Sequence, residues 1–510
     1  MEKRVLFAAI LSAILLSIYS QLFMKQLLKT SKAQPTASLL SQPGPSQLPG
    51  EPLPKLQDEA TVALTSPELT LEIGTRTGQI RKAILREFRQ SGSQEPLVIG
   101  GSNPLFSIGT DEGEFRLQLI KQTEQSLSFD AADSIGNNYN ILYHINLYNY
   151  LLEIKLQLYK AISNKATRLL ITSAWFRSDS IAGRSNILQI NALHSKNVGT
   201  AYKGYTGPVQ SSKIVPRGTK LITLSERYFC QAIKPKDTEF ETTVLKSPDH
   251  GTIVTRSVMS INRAISLEVF FGPRDFFHLK KAGFEAAFPI GALGQIGLIL
   301  LAILNWIASV TRNYGIAIIV FSGFITCIMA PFTIMSFKSM RKMQELKPKI
   351  DKIMAQHKND SAAANREIFQ LYRQHRVNPL SGCLPMLLQM PILIALFQAI
   401  SHFIELRGKS FLWIKDLSLP DQLARLPFSI PILGSDINLL PIIMAAVMFV
   451  QTRMSQGMYP KDASNPSSAM MSGPMMPILF GFMFYHFPSS LVLYWLTNSS
   501  ISLLWYRLAK

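Results

Sequence analysis

The residues of this chain with chemistry to offer stand inside apolar stretches. Ser322, Thr326 and Thr333 recur at spacings of four and seven in one, Gln389 lies in a second, and Tyr494, Trp495, Thr497 and Asn498 lie in a third. Spacings of four and seven place the three hydroxyls on one helical face. Polar groups in such stretches line an internal cavity or pair with one another, because hydrocarbon offers them no partner. A Ser or Thr hydroxyl can also bond back to a carbonyl one turn earlier, so each is equally well read as plain helix packing. Tyr494 and Trp495 read equally as belt aromatics near a membrane face. Gln389 is harder to place this way.

Catalysis has little support. No nucleotide loop, zinc-protease motif, serine elbow or paired metal-ligand spacing occurs, and the eight histidines are scattered. His357 and His375 fall in a basic segment and read as solvated; His486, before Phe487-Pro488, reads as interfacial. No catalytic residue, no metal and no cofactor are expected. Cys230, Cys327 and Cys383 are too few for a disulfide framework and read as small buried apolar residues. A net charge of +19 is compatible with nucleic acid, anionic lipid or the positive-inside bias of membrane proteins. The basic residues crowd the loops between apolar spans, and no basic-aromatic stripe or zinc spacing accompanies them, so nucleic-acid recognition is not expected.

The elements that carry these residues follow from composition and periodicity. Residues 5–24 form an apolar run of spanning length without a small-x-small cleavage site, giving an expected signal-anchor helix over 1–30. Six prolines between 35 and 54 mark a linker over 31–60. From 61 to 285 the pattern has period two: Leu152, Ile154, Leu156 and Leu158 alternate with polar neighbours, and Ile265, Leu267, Val269 and Phe271 repeat it. With turn signals such as Gly136-Asn137-Asn138, this region reads as a large all-β sandwich. Residues 286–312 read as an interfacial amphipathic helix, with glycines at 291, 294 and 297 spaced for close packing.

Five candidate spans follow at 314–336, 384–404, 439–456, 475–487 and 491–506, the last two short for a hydrocarbon core of about 30 Å. The stretch 378–391 is unlike a plain anchor: Pro385 and Pro391 each remove a backbone donor and Gln389 adds an amide, so it must face protein or water on one side. Residues 337–377 carry ten Lys and Arg against four Asp and Glu, which makes the segment cytoplasmic by the positive-inside rule. Its apolar residues Met340, Met343, Leu346, Ile350 and Ile353, then Ile368, Phe369 and Tyr372, form a helical hairpin turning at Asn359-Asp360-Ser361. The charge-balanced loop 405–438 fits the outer side. Both termini are then cytoplasmic, the β domain is periplasmic, and the spans number six.

The order of parts and several words of sequence converge on a family. Asn313-Tyr314-Gly315, Leu346-Lys347-Pro348-Lys349-Ile350, Asn378-Pro379-Leu380-Ser381-Gly382-Cys383-Leu384-Pro385, Gln389-Met390-Pro391 and Phe487-Pro488-Ser489-Ser490-Leu491-Val492-Leu493-Tyr494 resemble the YidC type of bacterial membrane protein insertase. The resemblance implies a five-helix core over 313–510 behind the anchor and the β-sandwich. It also implies insertion and folding of inner-membrane proteins through a hydrophilic groove, alone or with the Sec translocon. Ser322, Thr326, Gln389, Tyr494 and Trp495 are then groove residues, and Met340, Met343, Lys347 and Pro348 lie on the hairpin that recruits substrate. Implied partners are nascent membrane proteins, the Sec translocon and membrane lipids; ribosome attachment is weakened by the short C-terminal tail ending at Lys510. One departure concerns charge: the family's groove arginine aligns with Thr326, leaving a neutral groove or a charge borrowed from Lys338.

Two other functions compete. A small-solute transporter or channel would also use polar spans with prolines, but calls for inverted repeats that the sequence does not display. A carbohydrate-acting β domain would need paired carboxylates and a histidine in one cleft.

Overall fold

A computed structural model describes residues 56–508 apart from 57, 91–93, 102, 112, 162–166, 177–187, 195–196, 205–212, 237, 246–251, 262–263, 289–291, 358–359, 376, 378–383, 431–432 and 456–474. The expected anchor, most of the linker and the Asn378–Cys383 word lie outside the described residues. The chain divides into two compact units, Met1–Pro289 and Ile290–Lys510.

In the first unit the two alternating runs read from the sequence are one interface. Strand Leu151–Lys160 pairs antiparallel with Ala264–Pro273, which sets Leu152 opposite Val269, Ile154 opposite Leu267 and Leu156 opposite Ile265. All six side chains are buried, as period-two patterning on a half-buried strand requires. Around this pair one antiparallel ladder runs from Arg116–Gln122 through Ser126–Ala132, Asn138–Ile145, the central pair and Phe229–Pro235 to Lys213–Ser225, Leu188–His194 and Asn197–Gly204. A second runs from Thr61–Thr65 through Leu69–Gly74, Ile80–Arg89, Phe106–Thr110, Thr167–Phe176 and Thr252–Ile261 to Phe240–Leu245.

Strand Lys213–Ser225 belongs to both ladders. Its first residues pair with Phe240–Leu245 and its last with Phe229–Pro235, with a register shift between Val215 and Thr219. The shift falls where Pro216 supplies no N–H and Gly218 takes φ 93°, a region a side chain would resist. Gln231 of the first ladder donates Nε2 to the Leu105 carbonyl beside the second at 3.3 Å, so the two layers face one another. A short helix, α1 (Phe276–Lys281), follows the last strand; Asp275 caps it by accepting from the Phe277 and His278 amides.

The second unit is helical: α2 (Ala292–Thr311), α3 (Tyr314–Gln356), α4 (Ser361–Gln374), α5 (Leu384–Ile400), α6 (Leu439–Ser455), α7 (Met475–Met483) and α8 (Ser489–Leu508), with a two-stranded hairpin of Ala424–Ile430 and Gly434–Ile437. Among the described residues two helices are long and apolar enough to cross a membrane, α2 over Gly294–Thr311 and α3; Gln389–Ile400 and Leu439–Met454 are shorter apolar helices. The outward face of α2 is apolar, with Ile296, Ile299, Trp306 and Val310 exposed. Its inner face packs Leu300, Leu301, Leu304, Ile307 and Ala308 into the core. Gly297 makes the approach to α5 close: a Cβ there would lie 2.8 Å from the Ala395 carbonyl oxygen.

The junction after α2 is tight. Arg312 takes φ 54°, and Asn313 then caps α3 by accepting from the Gly315 and Ile316 amides at 2.8 and 3.1 Å. The span read over 314–336 and the hairpin read from 337 are not separate elements. α3 continues through both for 43 residues, with Pro331 and Pro348 inside it, a length of about 65 Å. Each proline removes one intrahelical donor, and the flanking turns carry the helix on. Met343, Leu346, Ile350 and Ile353 of its second half pack on Ile368 of α4 and on Val377. Asp360 caps α4 through the Ala362 and Ala363 amides.

Candidate functional site

Three helices bring the polar residues of the apolar stretches together. Ser322 and Thr326 on α3, Gln389 on α5 and Tyr494 on α8 are all buried. Gln389 Nε2 donates to the Tyr494 hydroxyl at 2.5 Å, tying α5 to α8. The Thr326 hydroxyl lies 2.7 Å from Asn498 Oδ1 on α8 and 2.7 Å from the Ser322 carbonyl of its own helix. A single hydroxyl proton serves one acceptor at a time. With the Asn498 amide turned so that its nitrogen faces Thr326, the amide donates to the hydroxyl and the hydroxyl donates to the carbonyl, and both are satisfied.

Ser322 spends its hydroxyl on the Ile318 carbonyl at 2.7 Å, and Thr333 spends its own on Met329 at 3.0 Å, so for these two the local account holds. Trp495 turns from the hydrogen-bonded belt into an aromatic group from α7: its ring centroid lies 5.8 Å from Phe480 and 5.6 Å from Phe484. Phe484 meets Phe487 edge-on at 4.9 Å, and Phe487 stacks on Phe397 of α5 at 5.2 Å. The belt is uncharged. Lys338 is exposed and stands about 18 Å along α3 from Thr326, too far to lend it a charge.

The residues read as recruiting substrate lie apart from this belt. Met343 is buried in the α3–α4 packing, Lys347 is half-buried and Pro348 exposed; Met340 belongs to the same stretch of α3. Phe369 on α4 is 61 % exposed, an apolar surface in an otherwise basic element.

At the other end of the bundle a group missed by the sequence reading locks the loop 405–438 onto the helices. Buried Asp421 accepts at one oxygen, Oδ2, from Trp413 Nε1 (3.1 Å) and from the Leu439 and Leu440 amides (2.8 and 2.9 Å), capping α6 from 18 residues away. Asn438 accepts from the Gln422 amide and donates Nδ2 to the Tyr485 carbonyl at 2.8 Å. Tyr485 donates its hydroxyl to the Asp436 carbonyl, and Ser489 donates Oγ to the Leu419 carbonyl at 2.7 Å. An Asn directly before the apolar run at Leu439 was the available signal. Beside this lock is an apolar cavity of about 300 Å³ lined by Ile319, Phe411, Leu440, Leu493 and Leu496.

The β unit has a cleft of about 910 Å³ whose described lining includes Lys220, Lys234, Lys236, Glu239, Glu268 and Glu285, without a histidine. Burial alone would raise the Glu268 carboxyl, but Lys234 and Lys236, at 3.0 and 3.1 Å, outweigh it and hold the pKa below the usual range. A carboxylate neutralised from both sides is poorly suited to proton transfer, and the described lining supplies no histidine beside it. Among the described residues no group of three or more His, Cys, Asp or Glu is placed to hold a metal ion.

The family model described as 60Kd inner membrane protein matches residues 306–508. A membrane protein insertase YidC from Geobacter metallireducens is 27 % identical over 99 % of this chain and 97 % of its own length. One from Endomicrobium trichonymphae is 36 % identical over 56 % of this chain and 54 % of its own. A solved structure described as an active YidC insertase with the first transmembrane domain resolved is 18 % identical, covers 94 % of this chain and 98 % of its own, and has a TM-score of 0.39.

Proposed function

We propose that this chain, which belongs to the YidC-type family of membrane protein insertases, inserts nascent membrane proteins by lending their polar segments a partial path of protein hydrogen-bonding groups across the bilayer. The observation that carries the reading is the buried neutral belt of Thr326–Asn498 and Gln389–Tyr494, in a bundle whose outer faces are apolar. A polar tail entering hydrocarbon alone loses its hydrogen bonds, at a cost of several kcal/mol per unsatisfied group. Exchange of its amides with the belt, and with water admitted as helices part, lowers that barrier without a chemical step. The activity is accordingly non-enzymatic.

On this reading Ser322, Thr326, Gln389, Tyr494 and Trp495 line a groove opening toward the cytoplasm, and the lock around Asp421 keeps the outer end shut. Six spans and an inward-facing N- and C-terminus follow from the charge bias, with the β-sandwich periplasmic and the α3–α4 hairpin cytoplasmic. The hairpin offers basic charge and the exposed Phe369 to an arriving chain. Helix α7, described over Met475–Met483, exposes Ile478, Leu479, Phe482 and Met483. An apolar segment leaving the belt meets these apolar side chains there. Assistance to the Sec translocon and contact with ribosomes belong to the same reading.

Depleting the protein and following insertion of short single- and double-spanning proteins into the same membranes tests it. Insertion should fall severalfold; insertion that continues unchanged would sink the proposal.

A further inference from the structure

The corner between α2 and α3 carries a feature that the insertion path does not use. A cavity of about 400 Å³ is lined by Ala308, Arg312, Asn313 and Tyr314 on one side and by Gly408, Lys409 and Ser410 on the other. Both cationic side chains are exposed, and among the described residues neither Arg312 nor Lys409 has an acidic partner within ion-pair distance. The backbone turns sharply at each wall: Arg312 has φ 54° and Gly408 φ 70°. These turns bring cations from segments about a hundred residues apart to one concavity. A Cβ at Gly408 would meet nothing within 4 Å, so that wall is open. The Ser410 amide has no backbone acceptor among the described residues, and Ser410, which follows Lys409 in the chain, lines the same cavity.

The surroundings identify the ligand's other half. Next to the corner stand exposed apolar side chains, Trp306 and Val310 on α2, each 69 % exposed, and Ile316 on α3, with the exposed Ser309 among them. A free anion gains nothing from such neighbours. A molecule with an anionic head and acyl chains satisfies both, its head in the cavity and its chains along the outward faces of α2 and α3. The geometry points to a binding site for the phosphodiester headgroup of an anionic phospholipid, held between Arg312 and Lys409 with Ser410 as an added donor. The assignment rests on the reading above that α3 enters the bilayer at Tyr314. A lipid held there would fix the α2–α3 corner against the loop 405–438.

The full-length protein in nanodiscs of phosphatidylcholine, with phosphatidylglycerol titrated in, provides the test, with retained lipid counted by native mass spectrometry. The proposal expects retained phosphatidylglycerol, weakened about fivefold by Arg312→Gln or Lys409→Gln and about thirtyfold by both. Retention that the double variant leaves unchanged would overturn the site. So would displacement of the lipid by millimolar inorganic phosphate in the wild type, which would identify a free-anion site. Thermal unfolding of the variants and their insertion of a short single-spanning protein are measured in parallel. A folded, insertion-competent double variant that has lost phosphatidylglycerol supports the site independently of the insertase reading. If the double variant fails to fold, Lys409→Glu alone decides: wild-type retention in that variant overturns the proposal.

Discussion

The Thr326–Asn498 contact makes an asymmetric prediction. Replacing Thr326 by Val keeps the shape and deletes the hydroxyl, which strands the half-buried Asn498 amide: no second hydrogen bond to that side chain is seen among the described residues. Replacing Asn498 by Leu leaves the Thr326 hydroxyl satisfied, because it still donates to the Ser322 carbonyl at 2.7 Å. Leaving a buried polar group unpaired costs about 1–3 kcal/mol, whereas removing one that leaves its partner satisfied costs less. Thr326→Val should therefore destabilise by about 1–2 kcal/mol and Asn498→Leu by roughly half of that. The coupling between them should be about 0.6 kcal/mol and no more than about 1.7, the average and the maximum for interhelical hydrogen bonds in membranes. Unfolding of the purified protein in mixed micelles by added SDS, on wild type, both singles and the double, closes the cycle. Asn498→Leu proving as costly as Thr326→Val, or a coupling under about 0.3 kcal/mol, would refute the argument.

Three further outcomes follow. Asp421→Ala removes the cap of α6 and the acceptor of Trp413 Nε1 together and should cost about 2–4 kcal/mol, read as a lowered thermal midpoint, with Asp421→Asn recovering most of it. Gly297→Val drives a side chain into the Ala395 carbonyl, 2.8 Å from where its Cβ would stand, and should destabilise by about 1–3 kcal/mol; a neutral result would mean that α2 does not pack on α5 this closely. In the β unit Glu268 has a lowered pKa, so its ion pairs stabilise the fold above the unfolded carboxylate pKa of about 4.3 and are lost as pH falls through the lower folded value. Glu268→Gln should flatten the acid limb of the unfolding profile below about pH 4.5 and leave its shape at pH 7 unchanged.

Much of the β unit was legible in the sequence because period-two alternation depends only on which face of a strand is buried. Leu152, Ile154 and Leu156 identify a strand without its partner being known, and the partner is the other run singled out, Ile265 to Val269. The bend of strand Lys213–Ser225 from one layer to the other was not legible, since Pro216 and Gly218 read equally as a turn between two strands. The continuity of α3 was hidden for a related reason. Composition changes sharply near Phe337, from apolar to basic, and such a change reads as a change of element, although one helix carries both compositions.

In the candidate site, residue types were legible and pairings were not. Gln389 stands out alone because an amide in an apolar run needs a partner, but that the partner is Tyr494, 105 residues on, is a fact of helix packing. Ser322 and Thr333 form the same periodic pattern as Thr326, yet only Thr326 faces Asn498; hydroxyls that can satisfy themselves locally leave no trace in sequence of where they point. Thr326 itself is buried where α3 meets α8, a packing that the spacing of its hydroxyl does not reveal.

The central claim, that polar segments of an arriving protein pass beside the neutral belt, is met most directly by site-specific photocrosslinking. A photoreactive residue is placed at Gln389 or, as a control on the outward face of α2, at Ile299, which is 62 % exposed. Ribosomes stalled on a short single-spanning protein are then presented to membranes containing each variant. The account predicts adducts between the polar tail and position 389 that appear and fade as the chain lengthens, with little from position 299. Adducts from position 299 with none from 389 would contradict it.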